Sequence, residues 1–107
     1  MSAERIRELN DQFRLTCQGG KVMMTGGINA LPVSIKSRIL ERVRTFDAFS
    51  EENDPHGEHD FGAFQFDGVG VFFKIDYFDK DLNFQSPDPA DPAVTERVIT
   101  LMLAEEY

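Results

Sequence analysis

The chain has 107 residues, 41% of them hydrophobic and 28% charged, and a formal charge of −8 from 11 basic and 19 acidic side chains. That length supports one domain, residues 1–107, whose core can stand without disulfides or a structural metal, and the apolar content excludes a disordered acidic tail. No apolar run reaches the roughly 18 to 20 residues of a membrane span, the polar opening lacks a signal-peptide core, and the lone Cys17 forms no internal disulfide, so the cytoplasm is the expected compartment.

In chain order, Ile6, Leu9, Phe13 and Cys17 recur at helical spacing and predict a first helix over about 3–18, with Ser2 as N-cap and Gly19-Gly20 as the stop. The short apolar run Lys21 to Thr25, bracketed by glycine pairs, predicts a strand. Pro32 suits the first turn of a second helix running to about Phe46, with Ile35, Ile39, Val43 and Phe46 on its buried stripe. Residues 50–58 are rich in turn formers and charge and are expected as a surface loop.

Two β-rich runs then flank Asp67-Gly68, a dipeptide suited to a type I′ hairpin turn. In the second run Val71, Phe73, Ile75 and Tyr77 share one face, and Phe72, Lys74, Asp76 and Phe78 the other. In the first, Phe64 and Phe66 oppose Phe61, Ala63 and Gln65. Residues 79–92 are irregular. Asp91-Pro92 reads as the start of a C-terminal helix with Val94, Val98, Leu101, Ile99, Met102 and Leu103 as its apolar surface. The expected fold is therefore an α+β, two-layer single domain in the order α-β-α-β-β-α, with a small, largely antiparallel sheet covered by helices.

Charge divides the chain unevenly. Residues 1–44 carry eight basic and four acidic side chains, whereas 45–107 carry three basic and fifteen acidic. An acidic surface repels nucleic-acid phosphates and anionic lipid and attracts basic protein surfaces, so direct nucleic-acid and membrane binding are not expected. The bland alternative is that these carboxylates serve solubility alone.

The densest chemical cluster is Asp54, His56, Glu58, His59 and Asp60. Imidazole and carboxylate are ligands for zinc, iron or manganese, and a neutral histidine serves as a general base near neutral pH. Pro55 and Gly57 break the helix that a His-Glu-x-x-His motif requires, so the alternative is that these groups close their own turn. Asp76, Asp79, Asp81 and Asn83 resemble a calcium loop, but Phe84 and Ala90 stand where an EF-hand counted from Asp79 needs glycine and glutamate. The glycine pairs lack the Gly-Lys-Ser/Thr of a phosphate loop, no cofactor is expected, and Cys17 on an apolar stripe reads as an inert thiol.

The strings Asp54-Pro-His-Gly-Glu-His-Asp-Phe-Gly-Ala-Phe64, Lys74-Ile-Asp-Tyr-Phe-Asp79, Ser86-Pro-Asp-Pro-Ala-Asp-Pro92 and Met102-Leu-Ala-Glu-Glu-Tyr107 resemble the domain of unknown function family 3768. These are small bacterial proteins common on plasmids and other mobile elements. The resemblance implies no catalytic residues. By association with mobile elements, it favours an inhibitor of host defence, of the anti-CRISPR or anti-restriction kind.

The leading expectation is thus a non-enzymatic binding protein whose Asp54, Glu58, Asp60, Asp76, Asp79 and Asp81 engage a basic groove on a nucleic-acid-handling complex, carboxylates replacing phosphates opposite partner arginines. The second is a metal-dependent hydrolase or nuclease using His56 and His59 with Asp54, Glu58 or Asp60. The third is a homodimeric interaction module joined through the C-terminal helix.

Overall fold

The computed structural model describes residues 2–107. Helix α1 (Ser2–Thr16) leads into strand β1 (Gly20–Met24), a single-turn helix α2 (Gly26–Asn29), helix α3 (Val33–Arg44), and strands β2 (Phe61–Phe66), β3 (Val69–Phe78) and β4 (Glu96–Leu103), closed by a short 3-10 turn at Ala104–Glu106. The four strands form one sheet in the order β1-β4-β3-β2, antiparallel except for the parallel β1–β4 pair. The α+β class and the largely antiparallel sheet are as expected.

The apolar alternation of the hairpin dictates which face meets the helices. Phe64 and Phe66, Val71, Phe73 and Ile75, and Ile99 and Leu101 form one buried layer against Phe13 of α1, Ile28 of α2, and Ile39 and Val43 of α3. Each fully buried side chain of this size contributes about 1.5–3 kcal/mol. The turn is closed by Asp67 and Gly68, both at positive φ (50° and 81°), as a type I′ turn requires. Among the described residues, no α-helix packs on the opposite face of the sheet. Phe61, Phe72 and Tyr107 pack there edge-on, with ring centroids 5.4–6.0 Å apart.

The C-terminal helix is not formed. Residues 96–103 instead make β4, a central strand between β1 and β3. Val98, Ile99, Leu101, Met102 and Leu103 put apolar residues on both faces of this strand, so its sequence shows no clean alternation although its burial largely alternates. The element order therefore ends in a strand, which removes the surface proposed for a helix-mediated homodimer. Helix α1 starts at Ser2, so this residue is helical rather than a cap. The glycines at 26 and 27, expected as punctuation, open α2.

Candidate binding site

Loop 45–60 is less of a surface loop than its composition suggests. The Asp54 carboxylate turns inward, and its Oδ1 accepts the backbone amides of Glu58 (3.1 Å) and His59 (3.0 Å), which leaves Asp54 8% exposed. This closure holds His59 at φ +56° with its ring stacked on Phe49, centroids 3.8 Å apart and planes 4° from parallel. The His59 Nδ1 lies 2.8 Å from Asp11 Oδ1, and its Nε2 lies 3.7 Å from Asp54 Oδ2. Asp11 also binds Arg14 at 2.8 Å, while Arg14 Nη1 donates to the Val43 and Phe46 carbonyls at 2.8 and 3.0 Å. The Arg14 guanidinium lies over the Phe49 and Phe73 rings, and its Nε is buried without a hydrogen-bond partner. The loop is thereby tied to α1 and α3.

A second network anchors the end of β3. Asn10 is fully buried. Its Nδ2 donates to the Glu58 carbonyl (3.0 Å) and the Tyr77 hydroxyl (2.8 Å), and its Oδ1 accepts Arg97 Nε (2.7 Å). The Tyr77 hydroxyl donates to Glu58 Oε1 at 2.9 Å, and Arg97 Nη2 donates to the Pro89 carbonyl at 2.5 Å. Burial pushes the Tyr77 hydroxyl well above its ordinary value, opposed by the Asn10 hydrogen bond and reinforced by Glu58. Burial likewise pulls the Arg97 guanidinium below its ordinary value. Each of these polar groups has its partners, as low-dielectric surroundings demand.

These anchors shape a polar cleft of about 400 Å³ lined by Asp60, Lys74, Asp76, Tyr77, Gln85 and Ser86, with Pro89 at one side. Gln85 and Ser86 join the lining where the chain returns to β3, the Ser86 amide donating to the Tyr77 carbonyl at 3.0 Å. Asp76 pairs with Lys74 at 3.3 Å, both side chains about two-fifths exposed. Asp60 forms no ion pair among the described residues. Burial, then Glu58 and Asp54, hold its carboxyl above the usual carboxylate range, while its backbone hydrogen bond and His56 oppose them.

The six carboxylates singled out from the sequence therefore have different stations. Asp60 and Asp76 share the cleft. Asp79 and Asp81 lie in the turn leaving β3, where Asp79 Oδ1 accepts the Asn83 amide at 3.0 Å and Asp81 is exposed. Asp54 and Glu58 are occupied by the loop's own amides and by Tyr77. His56 is exposed, and no three His, Cys, Asp or Glu side chains among the described residues are placed to hold one metal ion. Sequence reading missed Asn10, Asp11, Tyr77 and Arg97. Its available signal was polar groups set in or beside apolar runs, Arg97 within the β4 run above all.

The family model described as Protein of unknown function (DUF3768) matches residues 24–106. The chain belongs to this family. No curated protein and no solved structure matches it. The span shared with the DUF3768 family includes the whole cleft but not α1, although α1 supplies Asn10, Asp11 and Arg14 to the networks behind it. No helix among the described residues is long and apolar enough to cross a membrane.

Proposed function

We propose that this protein is a non-enzymatic binding module that receives a cationic side chain of a basic partner, an arginine foremost, in the cleft lined by Asp60 and Asp76. The observation that carries this reading is the Asp60 carboxyl, which lines the cleft half-buried, is crowded by Glu58 and Asp54, and forms no ion pair among the described residues. A carboxylate held this way destabilises the free protein and is relieved when a guanidinium enters, because opposite charge favours its ionised form. Asp79 and Asp81, on the turn beyond β3, extend the anionic rim and favour encounter with basic surfaces.

In its narrower form, the proposal makes the partner a nucleic-acid-handling defence complex whose phosphate-binding arginines the carboxylates occupy. That form is supported by the resemblance to mobile-element proteins and by carboxylate–guanidinium geometry.

Affinity capture from a lysate of the source cells tests the proposal, with the wild-type chain and a D60N, D76N, D79N, D81N variant as baits at about 50 and about 500 mM salt. The expected result is a basic partner retained by the wild type at low salt, released at high salt and absent with the variant. Equal capture by the variant, or retention unaffected by salt, overturns it.

A further inference from the structure

Strand β2 is an edge of the sheet, paired with β3 and with no other strand among the described residues. The Ile75 amide donates to the Asp60 carbonyl at 2.8 Å, which fixes the register: even-numbered residues of β2 bond to β3, and the backbone groups of Phe61, Ala63 and Gln65 point outward. Natural edges are protected by charge, proline or bulges. Phe-Gly-Ala-Phe-Gln-Phe has no charge and no proline, and its pairing with β3 runs without a bulge. The opposite edge, β1, is a five-residue strand carrying Lys21.

Beside this open edge α3 places two arginines in step with the strand. The Arg38 guanidinium lies 5.1 Å from the Phe66 ring centroid, and that of Arg42 lies 4.7 Å from the Phe64 centroid, with Arg42 Nη1 reaching the Gln65 carbonyl at 3.4 Å. Four helical residues rise about 6 Å and two strand residues about 6.6–6.8 Å, so the helix and strand repeats stay in register over this span. Both arginines are exposed, and neither forms an ion pair among the described residues. A strand added beyond β2 lies about 4.8 Å further out and presents alternate side chains at that same spacing. On its helix side these side chains meet Arg38 and Arg42. On its other side they meet Ala63 and the Phe61, Phe72 and Tyr107 cluster.

We infer that the β2 edge docks an extended partner segment with alternating carboxylate and apolar side chains by strand addition. A second copy of this chain is disfavoured as the occupant, since a two-fold β2–β2 pair brings the Arg38 and Arg42 rows of the two copies together. The outward groups of Phe61, Ala63 and Gln65 and the Arg38 and Arg42 side chains lie outside the acidic cleft, so binding at either place can fail alone.

The test titrates a blocked hexapeptide of alternating Glu and Val into the ¹⁵N-labelled protein, with the Lys/Val hexapeptide as comparison. Saturable shifts and slowed exchange of the Phe61, Ala63 and Gln65 amides are expected with the Glu/Val peptide alone. Affinity should fall about tenfold in an R38E, R42E double variant, whose substitutions are on exposed positions. It should be lost in A63P, which removes an outward amide without touching the β3 ladder. No perturbation at these amides, equal binding of the Lys/Val peptide, full affinity in R38E, R42E, or peptide-independent dimerisation through β2 overturns the inference.

Discussion

Asn10 connects α1, the 45–60 loop, β3 and β4 through one amide. Replacing it by alanine strands Arg97 Nε, removes a donor from the Glu58 carbonyl and the Tyr77 hydroxyl, and opens a small void in a fully buried position. Loss of hydrogen bonds to a buried charged group sets the cost of Asn10→Ala at about 3 kcal/mol, measurable as a lower urea midpoint at unchanged slope. Asp60 behaves oppositely. Its folded carboxyl titrates above the unfolded value, so the fold favours the protonated form, and the penalty is absent below about pH 4 and grows as pH rises through the folded value. Asp60→Asn is therefore expected to stabilise the protein at pH 7, by about half a kcal/mol after allowing for the group's exposure, with the gain vanishing near pH 3. Urea titrations at the two pH values check it; a gain that persists at low pH contradicts the assignment. A surface carboxylate that lowers stability fits a binding role. The role of Asn10 was not legible from spacing, because its partners Glu58, Tyr77 and Arg97 are far away in sequence, whereas the carboxylates that crowd Asp60, Glu58 and Asp54, are its sequence neighbours and only its burial comes from the fold.

At the scale of elements, the hairpin was readable because three local signals agree: the Asp-Gly turn, period-two alternation, and β-branched or aromatic content. β4 was not, because Val98, Ile99, Leu101, Met102 and Leu103 put apolar residues on both faces and hide the alternation that its burial follows, and Asp91-Pro92 imitates a helix start while closing a turn instead, with the Ala93 amide on Asp91 Oδ1 at 2.9 Å. The end of the chain is fastened by side-chain chemistry that no periodicity reveals. Glu106 accepts the Thr25 hydroxyl at 2.5 Å and the Leu103 and Gly27 amides, each at 2.9 Å. The Thr25 hydroxyl first, then the two amides, hold the Glu106 carboxyl below its ordinary value. The contact is thus kept at neutral pH and lost as pH falls through that depressed value. In Glu106→Gln the Gly27 amide should exchange faster, and the Tyr107 ring resonances should move toward those of a free tyrosine as its place beside Phe61 and Phe72 loosens. Unchanged Gly27 exchange would count against the clasp.

Across the whole molecule, the division into a basic first part and an acidic remainder is only partly a division of surface. Arg14 is taken up by carbonyls and Asp11 in the interior, Arg7 donates to the Gly57 carbonyl at 3.1 Å, and Arg44 reaches both Glu41 and the Leu15 carbonyl. Among the charges that remain wholly or partly outward are a short basic row, Arg38 and Arg42, along the β2 edge, and an acidic group, Asp60, Asp76, Asp79 and Asp81, around the end of β3, while Lys21, Asp47, Glu51, Glu52 and Asp88 are exposed elsewhere. Two surfaces of opposite sign on one small domain make a discriminating prediction. Hexa-arginine, which mimics a basic partner, should shift amides around Asp60 and Asp76, and its affinity should drop steeply between about 50 and 300 mM salt as exposed charges are screened. The Glu/Val hexapeptide should lose less over the same range, because main-chain pairing and apolar contact supply part of its binding. D60N with D76N should remove the first response and leave the second, and R38E with R42E should do the reverse. One titration series on three proteins therefore reads both surfaces, and a variant that abolishes both responses would mean that the two regions do not act independently.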